Sequence, residues 1–147
     1  MKQRLPVRTE LDKRGVDLHS VRCPMCDEDL ETAEHTLINC KFAKDVWNRV
    51  YKWWNINSVS AHTLSNAFKE NCILGTSKSG KYIWQALKWT CGYLLWKNRN
   101  SREFKGDSWT VPLAVNEIQI MSFDWIARRI KGDWMKLWFY NGLIMHL

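Results

Sequence analysis

The sequence predicts a mainly α-helical protein in which a small N-terminal module precedes a longer helical extension. Over three long stretches, apolar residues recur every three or four positions, which is the spacing of a helix that buries one face. Sustained alternation of apolar and polar residues, the pattern of strands, is not found in the sequence. The module is marked by three cysteines and a histidine between positions 23 and 40.

Composition sets the broad class of the protein. Of 147 residues, 46% are hydrophobic and 25% charged, the balance of a soluble globular protein. The net charge of +7 favours an acidic partner such as nucleic acid. No apolar run approaches the ~20 residues that span a bilayer, and the N-terminus lacks the apolar segment of a signal peptide, so no membrane partner is expected. Five cysteines then favour metal binding or free thiols, and we expect an intracellular location, nuclear or cytoplasmic.

The first predicted region, residues 1–57, contains the module. A short helix is expected near Thr9–Arg14, with Gly15 as its C-cap. Thr32 is a good N-cap for a second short helix over Ala33–Ile38. A long helix follows and loses its pattern after the tryptophan pair; its apolar face is formed by Phe42, Val46, Val50, Trp53 and Trp54.

Residues 58–80 are predicted to form a short helix and a flexible linker. The run from Gly75 to Gly80 is small and polar throughout, which is typical of a linker. With Lys81, this run matches the G-x-x-x-x-G-K pattern of a phosphate-binding loop. Tyr82 stands where such a loop needs Ser or Thr, so we do not expect nucleotide binding.

Residues 81–147 are predicted to be a helical C-terminal extension. One helix is expected to end at Gly106, and another to run from Leu113 to about Lys131, with Pro112 in its first turn. The apolar faces of the two helices are formed by Ile83, Leu87, Cys91 and Leu94, and by Val115, Ile118, Ser122, Trp125 and Arg129. We expect a loose helical bundle that keeps its structure without metal.

Ten tryptophans are an unusual number for this length. Their helical spacing favours buried core positions for most of them, and stacking on nucleic-acid bases is the alternative. Cys72 and Cys91 lie among apolar neighbours and are expected to be buried thiols.

Cys23, Cys26, His35 and Cys40 form a C-x2-C-x8-H-x4-C pattern. Two cysteines separated by two residues can direct both sulfurs at one ion, and three thiolates with one imidazole suit tetrahedral Zn²⁺ with no open position. His35 and Cys40 would lie about 140° apart on a continuous helix, so we expect a break near Asn39, with Cys40 at the N-cap of the long helix. The predicted cofactor is a structural Zn²⁺, and the alternative is a set of unligated thiols.

Together with their neighbours, these residues resemble the reverse-transcriptase zinc-binding domain of plant LINE-type (non-LTR) retrotransposon polyproteins. The similar segments are Leu5–Val16, Cys23–Cys26, Glu31–His35, Cys40 and Val46–Trp47. Val7 and Lys41 replace the family's usual Thr and Pro, and neither is a predicted ligand. A second similarity relates Trp96, Arg99, Asn100 and Phe104 to a W-x-x-R-N-x-x-x-F element downstream in such polyproteins.

The resemblance implies a fragment of an RNA-directed DNA polymerase polyprotein that binds zinc and has no catalytic role. No paired-aspartate motif of the Y-x-D-D kind is present in the sequence, nor is a spaced carboxylate set for two-metal chemistry. We therefore predict no enzyme activity and no catalytic residue. The acidic run Asp27–Asp29 is interpreted as a solvated loop beside the metal ligands.

A basic cluster near the end of the second long helix is the candidate nucleic-acid contact. Lys97, Arg99 and Arg102 crowd its last turns, where the helix dipole also favours cations. We predict weak, non-specific contacts between these three residues and the phosphates of RNA or DNA. The alternative is a role in solubility and capping.

The sequence therefore predicts a non-enzymatic zinc-binding accessory segment of a retrotransposon reverse transcriptase that contacts RNA or DNA non-specifically. Two alternatives stay open. The chain could be a structural or protein-interaction module that packs on polymerase or RNase H parts of a retroelement polyprotein, or a degenerate retroelement relic without activity.

Overall fold

The computed structural model describes residues 5–54 and 78–129. These residues form four α-helices and one π-helical turn, which confirms the predicted mainly helical class. In chain order the elements are α1 (Arg8–Lys13), the π-helical turn (His35–Asn39), α2 (Lys41–Trp53), α3 (Lys78–Lys105) and α4 (Val111–Ala127). Within the described ranges, extended pairing is limited to a single antiparallel bridge between Arg22 and Leu30. The short helix predicted after residue 58, most of the predicted linker, Cys72 and the end of the extension lie outside the described residues.

Helix α1 is terminated by Gly15 as its sequence predicts, although its last residue is Lys13, one residue earlier than expected. Gly15 adopts a left-handed φ of +81°, a conformation that glycine accepts without steric cost. Its amide donates to the carbonyl of Asp12, and the Val16 amide donates to the carbonyl of Leu11. This pair of hydrogen bonds satisfies the last carbonyls of α1 and turns the chain towards the cysteines.

Helix α2 carries the apolar face that its periodicity predicts. Val46 and Val50 are fully buried, and Trp47, Trp53 and Trp54 are nearly so. The indole Nε1 of Trp47 donates to the carbonyl of Leu37 at 2.7 Å. This bond ties α2 to the π-helical turn that precedes it.

Helices α3 and α4 form an antiparallel hairpin. The connection turns at Gly106, which has a left-handed φ of +71°. The amide oxygen of Asn98, on α3, accepts from the Trp109 amide at 2.7 Å and so fixes the connection. Thr110 is the N-cap of α4, and the following Pro112 lies in its first turn, as predicted.

The bounds of α3 and α4 and part of the apolar face of α4 also differ from the prediction. Helix α3 begins at Lys78, inside the predicted linker, and α4 ends at Ala127, before the predicted end near Lys131. Trp125 and Arg129 were expected on the apolar face of α4, but both are exposed. The predicted members Val115, Ile118 and Ser122 are buried, and Ala114 and Ile126 complete the buried face.

The apolar core is continuous from the cysteine module to the hairpin. One cluster of buried residues contains Cys23 and Cys40, the apolar face of α2, and the facing sides of α3 and α4. Tyr51 of α2 stacks on Trp84 of α3 with ring centroids 5.7 Å apart. The described residues of the metal module and of the helical extension therefore share one apolar core.

The described tryptophans divide between core and surface. Trp47, Trp53, Trp54 and Trp84 are buried, whereas Trp89 and Trp125 are exposed. Core packing is thus the role of half of the eight tryptophans in the described ranges. None of the helices in these ranges is long and apolar enough to span a bilayer.

Candidate metal centre

The first two candidate ligands lie on a tight knuckle closed by backbone hydrogen bonds. The Cys23 amide donates to the Asp29 carbonyl, and the Asp27 amide donates to the Cys23 carbonyl, both at 2.8 Å. Asp27 takes a left-handed φ of +55°, which reverses the chain directly after Cys26. The Arg22–Leu30 bridge closes the base of this loop. The loop therefore presents both sulfurs on one side, as the C-x2-C spacing predicts.

The other two candidate ligands are brought together by a change of helix type. The Thr32 hydroxyl accepts from the His35 amide at 3.0 Å, so Thr32 caps the turn as expected. The chain then forms π-type hydrogen bonds, and the Cys40 amide donates to the His35 carbonyl at 2.7 Å. Cys40 itself is extended, with a ψ of 140°, and is the N-cap of α2. The predicted break after Asn39 is present, and the π-helical turn places Cys40 directly above His35.

The four ligand atoms converge on one point. They all lie within 4.8 Å of one another. The sulfurs of Cys23 and Cys40 are 3.9 Å apart, and Cys26 Sγ lies 3.3 Å from His35 Nε2. For tetrahedral zinc, bond lengths of about 2.3 Å to sulfur and 2.0–2.1 Å to nitrogen imply separations of roughly 3.8 Å and 3.6 Å. The donor set and its spacing therefore fit Zn²⁺.

The protonation of the ligands follows from their surroundings. The hydrogen bond from the Cys23 thiol to the Cys40 sulfur, together with burial, raises the pKa of Cys23. The same bond lowers the pKa of Cys40, and the backbone amides of Phe42 and Ala43 at the start of α2 lower it further. Burial lowers the pKa of His35, which favours the neutral imidazole that binds metals. The surroundings of Cys40 therefore already stabilise a thiolate, and those of His35 already favour the neutral ring that binds metals.

Asp29 lies on the outer side of His35. Its carboxylate oxygen Oδ2 is 4.0 Å from His35 Nδ1, while the other ring nitrogen, Nε2, faces Cys26. A carboxylate on the far nitrogen of a metal-binding histidine fixes the tautomer and orientation of the ring. Asp29 belongs to the acidic run that the sequence indicated only as a solvated loop.

Behind the ligands, the buried Glu31 side chain connects the module to α3 through hydrogen bonds. Its side chain is fully buried, and that of Arg99 is 3% exposed. The Arg99 guanidinium donates two hydrogen bonds to the Glu31 carboxylate, one of them from Nη2 to Oε2 at 2.7 Å. The Arg8 amide also donates to Oε2, at 2.8 Å, and the Thr36 hydroxyl donates to Oε1. This bidentate geometry is that of a strong arginine–carboxylate pair.

A second ion pair flanks the Glu31–Arg99 pair. Arg8 Nη2 lies 2.6 Å from the carboxylate of Glu103, near the end of α3. Arg8 Nη1 also donates to the Arg22 carbonyl at 2.8 Å, beside the knuckle. Sequence reasoning missed both pairs because the partners are far apart in the chain and no local pattern links them.

The three candidate phosphate contacts have different environments. Lys97 and Arg102 are exposed, and the ammonium group of Lys97 lies 5.8 Å from the Trp109 ring. Arg99 is held by Glu31 and stacks over Trp96, with its guanidinium carbon 5.0 Å from the ring centroid. Arg99 is therefore not placed to reach a phosphate at the surface.

A Cys3His set on a knuckle and a helix N-terminus, with three of its four ligands buried, is typical of a structural zinc-binding module. The comparison with known protein families agrees with this class. Residues 1–47 match the family described as zinc-binding in reverse transcriptase, and the match includes all four ligands. This part of the chain is thus similar to a reverse-transcriptase zinc-binding domain, whereas α3 and α4 lie beyond the match. No curated protein and no solved structure gave a significant match.

Proposed function

We propose that this chain is a non-enzymatic accessory segment of a retrotransposon reverse transcriptase of the plant LINE type. A structural Zn²⁺ bound by Cys23, Cys26, His35 and Cys40 stabilises the segment. Exposed cations at the end of α3 make weak contacts with RNA or DNA that do not depend on sequence. The surrounding polyprotein supplies the catalytic chemistry.

The observation that supports the proposal most is the convergence of the four ligands within the matched residues. When bound, Zn²⁺ cross-links the knuckle to the start of α2 and supplies no reactive position, because all four ligands come from the protein. The role of the module is therefore to fix the orientation of α2 and the elements packed on it.

The proposed nucleic-acid contacts are Lys97 and Arg102, without Arg99. Both side chains are exposed on the last turns of α3, where the helix dipole is negative and cations are favoured. Each phosphate that a cation neutralises releases counterions, so the contacts should depend strongly on salt.

A zinc analysis and a nucleic-acid titration on one purified sample test the proposal. We expect one zinc per chain and micromolar or weaker binding to a single-stranded oligonucleotide. In Lys97→Gln/Arg102→Gln, the slope of log affinity against log salt should flatten by about 1.4 units, since single strands give about 0.7 per phosphate. Lys13→Gln/Lys41→Gln, which removes two exposed cations elsewhere, is the matched control. If the parent chain binds no oligonucleotide at low salt, the nucleic-acid role is excluded.

A protein-interaction module is the second candidate function. It is favoured by large apolar side chains that are exposed on the hairpin, namely Phe104, Leu113 and Ile120. If the chain retains zinc but binds no nucleic acid, this candidate takes precedence. It can then be tested with the polymerase and RNase H parts of the same polyprotein as purified partners.

A further inference from the structure

A shallow aromatic groove runs between α3 and α4, away from the metal ligands. It has a volume of about 190 Å³ and an aromatic and apolar lining. Ala86 and Thr90 contribute on the α3 side, and the larger lining residues are Trp89, Tyr93, Met121 and Trp125. Trp89 is 50% exposed, Tyr93 55% and Trp125 37%, so all three rings present surface to solvent.

One end of the groove carries a stacked arginine. Arg129, one turn after Trp125, places its guanidinium carbon 4.2 Å from the centroid of the Trp125 ring. Tyr82 of α3 stacks on the same tryptophan, with centroids 5.6 Å apart and ring planes 12° apart. Within the described ranges, no carboxylate lies within ion-pair distance of Arg129, whereas the neighbouring Asp124 is paired with Arg128. Among the described residues, the positive charge of Arg129 is therefore not neutralised by a carboxylate.

Lys97 does not line the groove but lies one turn after Tyr93 on α3, beyond the end opposite Arg129. Because α3 and α4 are antiparallel and Tyr82 stacks on Trp125, Arg129 lies near the start of α3. From Tyr82 to Lys97 the helix rises about 22 Å at 1.5 Å per residue. At about 3.4 Å per stacked nucleotide, this length accommodates about six nucleotides.

We propose that this groove binds the unpaired bases of a single-stranded RNA or DNA, which stack on Trp89 and Tyr93 while Arg129, held on Trp125, and Lys97 contact phosphates at its two ends. The inference rests on the proposed nucleic-acid function and extends it by naming the form of nucleic acid and a second surface. Aromatic rings that alternate with cations along a groove are the usual means of binding single strands without sequence preference. A base within a duplex does not expose its ring face, so single strands are favoured over duplexes.

Charge complementarity identifies the occupant. The chain carries a net charge of +7, and both ends of the groove are cationic. An apolar protein segment would gain from the rings but would leave the cations unused. A single-stranded nucleic acid uses both features at once, because each nucleotide offers one flat ring system and one phosphate.

The test compares fluorescence anisotropy titrations of a labelled 12-nucleotide oligothymidylate and of a duplex of the same length, at several salt concentrations. We expect Tyr93→Ala and Trp89→Ala each to weaken single-strand binding by about fivefold to a hundredfold, since stacking contributes about 1–3 kcal/mol per base. Neither variant should change the salt slope, because neither removes a charge. Arg129→Gln should flatten the slope by about 0.7 units.

Matched variants separate stacking from other effects. Phe104→Ala removes an aromatic ring that is 78% exposed on α3 but does not line the groove, and its affinity should equal that of the parent. Tyr93→Phe keeps the ring and should bind within about twofold of the parent. Zinc content and far-ultraviolet circular dichroism show whether each variant is folded. The side chains of Trp89 and Tyr93 are exposed enough for their truncation to be tolerated.

The outcomes distinguish this inference from the proposed function. If the groove variants bind like the parent while Lys97→Gln/Arg102→Gln has a flatter slope, the groove proposal is overturned and the proposed function stands. If a groove variant changes thermal stability or sedimentation but not affinity, another part of the chain or a second copy occupies the groove, and the proposal is again overturned. Equal binding of duplex and single strand would also contradict it.

Discussion

The zinc module and the α3–α4 hairpin lie side by side, but their structures depend on different interactions. Between Arg22 and Cys40 the chain is ordered by backbone hydrogen bonds, a capped turn and four convergent ligands. The hairpin is ordered by apolar burial, with Ile83, Leu87 and Ile118 almost completely inaccessible. We therefore expect the module to depend on one cofactor, whereas the hairpin depends on many small contributions of about 25 cal/mol per Å² of buried apolar surface.

The junction between the two regions combines both kinds of interaction. Apolar contacts such as Tyr51 on Trp84 continue the core, and the buried Glu31–Arg99 pair crosses it. Glu31 lies between Leu30, which closes the knuckle, and Thr32, which caps the His35 turn. The comparison indicates that the helical hairpin supports the geometry of the metal site from behind.

Metal removal is expected to have the largest effect. Structural zinc contributes on the order of 10 kcal/mol in small modules, comparable to the whole stability of a domain. Because the core is continuous, chelation with EDTA should abolish the cooperative thermal transition of the whole chain, followed by circular dichroism. Retention of a separate transition with most of the helical signal would show that the hairpin folds alone and would contradict the shared core.

Replacing a single ligand should have an effect almost as large. Cys40→Ser removes the thiolate at the N-cap of α2, so zinc content should fall to near zero in metal analysis of the purified protein. Cys91→Ser is the matched control, since Cys91 is also fully buried but lies in the apolar interior. The control should keep one zinc per chain even if its stability falls. Equal zinc loss in both variants would refute the ligand assignment.

Much of this architecture could be predicted from the sequence, because it depends on local patterns. The ligand spacing identified Cys23, Cys26, His35 and Cys40, and the angular mismatch between His35 and Cys40 required the break after Asn39. Helix periodicity identified α2, α3 and α4, although boundaries shifted where capping and tertiary contacts decide the ends. The π-helical turn itself could not be foreseen, since its residues have no distinguishing composition.

The features that could not be predicted depend on long-range polar contacts. Arg99 has two exposed basic neighbours in sequence, and nothing local indicates that it turns inward to Glu31, 68 positions away. A cation near a helix C-terminus is usually solvated, so the phosphate interpretation was the reasonable one for all three residues. The spacing of Trp125 likewise predicts a position on the apolar face of α4. Only the packing of α4 on α3 shows that Trp125 lies at the surface beside Tyr82.

The next effect concerns the buried ion pair at the junction. Arg99→Met leaves the Glu31 carboxylate buried without its charged partner, which should lower the free energy of unfolding by about 3–5 kcal/mol. The combined Arg99→Met/Glu31→Met variant removes both charges and should be destabilised by less than the sum of the single variants. Denaturant unfolding of the zinc-loaded chains measures the difference. Arg102→Met, three positions along on the surface of the same helix, should change stability by less than about 0.5 kcal/mol.

Acidification should weaken zinc binding gradually. The Cys23 thiol, whose pKa is raised, must lose its proton to bind, so protons compete with zinc as the pH falls. The pKa of His35 is lowered, so histidine adds no competition above its ordinary pKa of 6.5 and adds some only well below it. Zinc affinity, measured against a competing chelator, should fall by about tenfold per pH unit for each proton taken up, between about pH 7 and 5. An affinity independent of pH in this range is incompatible with a thiolate-rich site.

The smallest expected effect distinguishes the ligands from the residues that orient them. Asp29→Asn removes the carboxylate near His35 Nδ1 and should weaken zinc binding. Loss of a carboxylate that orients a metal-binding histidine lowers metal affinity by about 10- to 100-fold when that carboxylate is buried and in direct contact. Asp29 is 73% exposed and its Oδ2 lies 4.0 Å from Nδ1, so we expect the lower limit, about tenfold or less. Asp27→Asn is the matched control, because it also removes an exposed charge from the same loop and asparagine tolerates the left-handed backbone at this position. A competition titration should place Asp27→Asn within twofold of the parent. If both variants lose affinity equally, Asp29 acts only through the negative charge of the loop, and high salt should abolish the loss in both.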